Sequence, residues 1–154
     1  MICDFHAHFV PQSIAQHTTF FKGVWSDRDA LRAFLDKHDI RYAHLVYPST
    51  DAHLKLGGEA LANAYNKEIA QLAKENPDRF ICSAIAPLEA PDIGEQLRRI
   101  QDSGFKSISL ASSYNGAFPI AQFKTIFSYL NEMNLVVFIH PQIINPIGFE
   151  RVKD

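Results

Sequence analysis

The sequence predicts a parallel α/β fold, and three observations carry that prediction. Five short segments rich in apolar and β-branched residues, at 2–6, 41–47, 80–86, 107–111 and 135–139, are separated by longer stretches. Those stretches repeat their apolar residues with the period of a helix rather than the alternation of a strand. Residues that stop helices, Asn76-Pro77 and Gly104, fall just ahead of the third and fourth segments. Strand and helix therefore alternate as βαβαβαβαβ, the order of a parallel sheet.

Between the first two segments, Ser26 is placed to cap a helix with Asp29 three residues on. Leu31, Phe34 and Leu35 give that helix its apolar face, and it should end near His38. From 58 to 75, Leu61, Ala64, Tyr65, Leu72 and Ala73 share one side of a longer helix. Asp92 opens a third, in which Ile93, Leu97 and Ile100 repeat at helical spacing and Gly104 suits the left-handed position beyond its end. Ile120, Phe123, Phe127 and Leu130 form a fourth stripe, running to Asn134 before the last strand.

At 154 residues and 47% hydrophobic, the chain can bury one substantial core, and residues 1–154 are expected to form a single globular unit. A net charge of −2 with interspersed signs gives no footprint for nucleic acid or for an anionic membrane. The longest apolar run, Leu135-Val136-Val137-Phe138-Ile139, is far shorter than the roughly 20 residues a bilayer requires. The opening residues lack the basic region of a signal peptide and carry Asp4, so a cytoplasmic location is expected. Cys3 and Cys82 stand apart with no CxxC spacing and are expected to be reduced, buried, small hydrophobes.

Periodicity leaves open whether the repeat forms a doubly wound sheet or a closed barrel. No Gly-x-Gly-x-x-Gly follows the first strand; that strand runs instead into Asp4-Phe5-His6-Ala7-His8. Two histidines spaced by two residues point to the same side if the strand continues through them, and can share an ion. A third, in His140-Pro141, stands where the fifth strand leaves the sheet. The C-terminal ends of strands are the functional rim of βα barrels. Three imidazoles with an open position suffice for a catalytic zinc site, and His6, His8 and His140 are the candidate ligands. Such an ion either ionises a bound water or polarises a carbonyl or carboxylate. His44, in mid-strand, is expected to be a hydrogen-bonded core residue, and His17, His38 and His53 to be solvated, with a lining place at the barrel mouth the alternative for His53. Asp4 shares the face of His6, either to orient a ligand or in a simple buried hydrogen bond.

With these residues in place the chain resembles the amidohydrolase-related family that includes aminocarboxymuconate-semialdehyde decarboxylase and other metal-dependent hydrolases and decarboxylases. The elements that match are Asp4-Phe5-His6-Ala7-His8, the stretch from Asn66 to Pro77-Asp78-Arg79-Phe80, Ala86-Pro87-Leu88, Gly104-Phe105-Lys106-Ser107-Ile108 and His140-Pro141, in the family's order. The resemblance implies a TIM-barrel-type (β/α) repeat, here incomplete with about five parallel strands, over residues 1–154. It implies one divalent metal, zinc by ligand chemistry, held by His6, His8 and His140, and a small organic acid or amide-like substrate. Arg79 and Phe80 would be structural, at the start of the third strand. The family also uses a histidine after its sixth strand and an aspartate after its eighth, and no residue here matches either. The barrel is therefore expected to be completed by a homo-oligomer or by a missing C-terminal half, since open sheet edges associate. Two alternatives stand beside the hydrolase or decarboxylase. One is a non-catalytic metal- or acid-binding fragment. The other is a phosphoesterase- or deoxyribonuclease-like metal barrel, for whose bridging glutamate Glu89 is a poorly placed candidate. Substrate choice would fall to the loops at 47–56, 111–119 and 142–149.

Overall fold

The computed structural model describes residues 1–19, 21, 23–48, 50, 52–87, 90–111 and 120–140; of 24, 53, 54, 111, 120–123 and 140 it describes the backbone alone. Of the loop expected at 111–119 the backbone of Ala111 is described and is still strand; 112–119, the loop expected at 142–149, Pro141, Leu88 and Glu89 lie outside the described residues.

Strand β1 (Ile2–Ala7) is followed by a short helix α1 (Gln12–Ala15), a 3-10 turn (Gly23–Trp25) and α2 (Arg28–Lys37). Next come β2 (Ile40–Leu45), α3 (His53–Leu56) and α4 (Gly58–Glu75). The chain continues through β3 (Phe80–Cys82), β4 (Ala84–Ile85), α5 (Ile93–Asp102), β5 (Ser107–Ala111), α6 (Ile120–Glu132) and β6 (Val136–His140). All strand pairs are parallel, in two three-stranded sheets ordered β1-β2-β3 and β4-β5-β6.

The segment 80–86 was expected to be one strand, and it is two. Ser83 interrupts it, its N–H bonding the carbonyl of Leu45 at 2.9 Å while the chain shifts from the β2 ladder to that of β5. The helix caps differ as well. Asp27, not Ser26, caps α2, its carboxylate accepting from the N–H groups of Asp29 at 2.9 Å and Ala30 at 3.0 Å. Ser26 instead closes the preceding turn, donating to the carbonyl of Gly23.

Strand alternation sorts the sheet into two unlike faces. Ala43 and Leu45 of β2, Phe80 and Cys82 of β3, and Ile108 and Leu110 of β5 are buried together with Leu35, Leu61, Ile69, Leu72, Leu97 and Ile100 from the helices. Residues of the opposite parity carry His44, Ile81, Ser83, Ser107, Ser109, Val136 and Phe138. On that face Ile81 and Val136 are 47% and 57% exposed, and among the described residues the helices pack on the other. Helices on one face only are the layering of a (β/α) barrel, whereas a doubly wound sheet is covered on both. The fold is thus a TIM-barrel-type repeat, present in part.

Turns from helix to strand are tight because three of them use a left-handed residue: Asp39 (φ 54°), Gly104 (φ 92°) and Asn134 (φ 52°). Asp and Asn tolerate that region better than other side chains do. Two expected helix faces are corrected. Phe34 is exposed and packs on the His38 ring at 4.5 Å, leaving Leu35 as the buried anchor of α2. In α6 the buried residues are Ile126 and Leu130 rather than Phe127, which is exposed; the side chains of Ile120 and Phe123 lie outside the described residues.

Candidate metal centre

The histidines of the opening motif come together. The His6 and His8 rings lie edge to face with centroids 4.9 Å apart, at the C-terminal end of β1. A register shift between Asp4 and Ala7 against β2 accompanies the end of the strand. The Asp4 carboxylate accepts from the backbone N–H of His6 at 2.9 Å, so it shapes the main chain beneath the pair.

His8 Nδ1 sits 2.8 Å from the carbonyl oxygen of Val46, just beyond β2. A carbonyl only accepts, so Nδ1 must carry the proton and Nε2 the lone pair. Burial pushes the His8 pKa below 6.5, against the opposing pull of that carbonyl, which holds the ring in its neutral form. A neutral imidazole with its tautomer fixed by a backbone carbonyl is the form in which histidine binds a metal. Phe21 and Trp25, from the segment after β1, stand over the same ring with centroids at 5.7 and 6.5 Å. Phe21 adopts a left-handed φ of 59°, an unusual conformation for a bulky residue and a form of backbone strain that clusters at functional sites.

The third candidate, His140, is the last residue of β6, opposite Ala111 of β5. Its side chain lies outside the described ones. Among the described residues no group of three His, Cys, Asp or Glu side chains is gathered as for an ion; of the three candidate ligands, His6 and His8 are the two whose side chains are described, and they lie together.

Below the pair, on the same lumen face, His44 is buried as expected. Its Nε2 lies 2.8 Å from Ser83 Oγ and 3.2 Å from Ser107 Oγ, and the two serines bond each other at 2.7 Å. Burial, and to a lesser extent the nearby His6, lowers its pKa. Its ring meets that of Phe138 edge on at 4.5 Å. Ser83, Val46, Phe21 and Trp25 were not among the residues expected at the site, and Ser107 was expected only as part of the stretch 104–108. A signal existed for the serines, which recur at lumen positions of otherwise apolar strands; none exists for a carbonyl. His38 is exposed, as expected, while His17 is half-buried; the His53 side chain lies outside the described ones. Arg79 is structural, bridging Asp36 at 2.6 Å at the start of β3, with Phe80 buried beside it. Cys82 is buried as expected, whereas Cys3 is only half-buried because β1 lies at the sheet edge.

The described site is thus a histidine pair at the C-terminal end of the first strand of a parallel βα repeat. The amidohydrolase family model matches residues 3–150, and the chain belongs to that family. No curated protein matches it. Among solved structures it is similar to a Staphylococcus aureus protein described as an amidohydrolase, with TM-score 0.74 and 20% identity, over 97% of this chain and 50% of that one. It is similar also to 2,6-dihydroxybenzoate decarboxylase from Rhizobium, with TM-score 0.69 and 20% identity, over 94% of this chain and 52% of that one. A third is dihydroxybenzoic acid decarboxylase from a Polaromonas species, solved with bound manganese and the inhibitor 2-nitroresorcinol; TM-score is 0.70 and identity 19%, over 99% of this chain and 53% of that one. The chain spans about half the length of these structures. Among the described residues no helix is long and apolar enough to cross a membrane.

Proposed function

We propose that this chain supplies the histidine half of a divalent-metal centre in a hydrolase or decarboxylase acting on a small organic acid or amide-like compound. The observation that carries it is the His6–His8 pair, 4.9 Å between centroids, with the His8 tautomer set by Val46. His6 and His8 would hold the ion through ring nitrogens, joined by His140 from the end of β6. A bound ion supplies Lewis acidity toward a carboxylate, carbonyl or water. The chain's own residues fix the imidazoles, keep His8 neutral, and wall the site with the Phe21 and Trp25 rings. Zinc suits imidazole ligands by softness, and the manganese in the Polaromonas enzyme suits a mixed nitrogen and oxygen set. The decarboxylase likeness favours a carboxylate among the possible substrates.

Metal content after reconstitution with zinc or manganese tests this. One ion per chain is expected, reduced in His8→Ala and in His140→Ala; equal content in all three proteins contradicts the site. Turnover on a panel of carboxylates and amides then separates an enzyme from a metal-binding fragment.

Association is part of the same proposal. Phe5 on β1 is 64% exposed and Ile139 on β6 56% exposed, at the two outer edges of the sheets. Unpaired edges bearing apolar residues recruit further strands. A second copy or a complementary half-barrel would cover them. Light scattering should show this chain above its monomer mass, and Phe5→Lys with Ile139→Lys should lower that mass; a monodisperse monomer would rule association out.

A further inference from the structure

The two parts of the proposed centre lie in different ladders, joined through the segment 80–85, whose first residues pair with β2 and whose last pair with β5. His6 and His8 belong to the β1-β2-β3 sheet and His140 to the β4-β5-β6 sheet. The chain changes sheets at Ser83, where β3 ends and β4 begins. At that break, His44 of β2 reaches Ser83 Oγ at 2.8 Å and Ser107 Oγ of β5 at 3.2 Å. Its ring also meets Phe138 of β6 at 4.5 Å, two residues before His140 on the same strand parity. One side chain thus touches the break and both strands of the second sheet that lead to the proposed third ligand.

We propose that His44 is a positioning residue for the metal centre, setting β6 against β1 through Ser83, Ser107 and Phe138. This rests on the metal-centre reading above. The chemistry of the network supports it. Ser83, Ser107 and His44 are buried, so each polar atom must keep its partner, and a displacement of either sheet breaks several bonds together. The edge-to-face contact with Phe138 adds a directional restraint on β6 that an aliphatic residue would not supply. Ser109 Oγ, donating to the carbonyl of Tyr47 at 3.2 Å, ties the sheets at a second level but does not reach β6.

Titration with Mn2+, following the free ion by electron paramagnetic resonance, tests the proposal. His44→Phe keeps a ring against Phe138 and removes Nε2; it should bind at least about tenfold more weakly than the native chain. Ser107→Ala should weaken binding in the same direction, and His44→Gln, whose amide can bond the serines, should recover part of the loss. Leu97→Ala, a core change on α5 away from the network, should lower thermal stability without altering the Mn2+ affinity. Native affinity in a folded His44→Phe protein overturns the proposal. If that variant does not fold, Ser107→Ala decides by the same criterion. Equal weakening by Leu97→Ala also overturns it, since general destabilisation would then explain the loss. Absence of Mn2+ binding by the native chain, by contrast, removes the metal centre itself and this inference with it.

Discussion

Asn66 on α4 grips the main chain of Ile85 at two points: its amide donates to the Ile85 carbonyl and its side-chain oxygen accepts from the Ile85 N–H, both at 2.8 Å. Ile85 ends β4, two residues after Ser83, and β4 pairs with β5 on one side only. A side chain thus replaces the missing ladder partner and docks the strand to its helix. Asn66→Ala would strand both backbone groups beside a buried residue, at a loss of about 2 to 3 kcal/mol. Urea unfolding should show that loss as a lower midpoint at unchanged slope, and a change within a few tenths of a kcal/mol would mean the clamp carries no stability.

The pH dependence of stability has a definite sign. Burial holds the folded-state pKa of His44 below 6.5, so the unfolded chain takes up a proton first as the pH falls. Unfolding therefore becomes easier on acidification through that range, with the loss levelling off only below the folded pKa. The thermal midpoint of metal-free protein should fall between about pH 7.5 and 5.5. His44→Gln should flatten that fall, and an unchanged pH slope in the variant would contradict the assignment to His44.

Two thiols should behave as two populations. Burial pushes the Cys82 thiol up to about 12, while Cys3 is only half-buried on the edge strand. Near neutral pH Cys82 stays a thiol and out of reach, and a thiolate is what reacts. Native protein should label at Cys3 at least about a hundredfold faster than at Cys82, the second site opening only on unfolding. Mass spectrometry after brief alkylation reads this directly, and comparable labelling at both positions would show that the helix-facing core is not closed.

Much of this architecture was legible in the sequence because the strands are nearly continuous apolar runs and the helices keep one apolar face. The bounds of α4 coincide with the expected 58–75, since Asn76-Pro77 stops it. What escaped was set by tertiary contact. Nothing local marks Ser83 as the place where one strand becomes two, because the cause is a change of partner from β2 to β5. Asp27 displaced Ser26 as a cap because the helix starts one residue later, and a carboxylate at that terminus also suits the helix dipole. Phe34 looked like core by spacing, yet its position faces outward and finds only His38. For the site, His6 and His8 could be paired from their spacing, whereas the Val46 carbonyl that sets the tautomer of His8 comes from the residue after β2, 38 positions along the chain.

A metal centre at the rim of β1 requires that one ion touch the rings of His6, His8 and His140 together. Proton NMR of the histidine ring signals during addition of Mn2+ answers this, because a bound paramagnetic ion broadens the nuclei nearest it. At one equivalent the signals of His6, His8 and His140 should vanish together while that of exposed His38 persists. Broadening that spares His8, or that strikes His38 as strongly, would contradict a metal centre at the rim of β1.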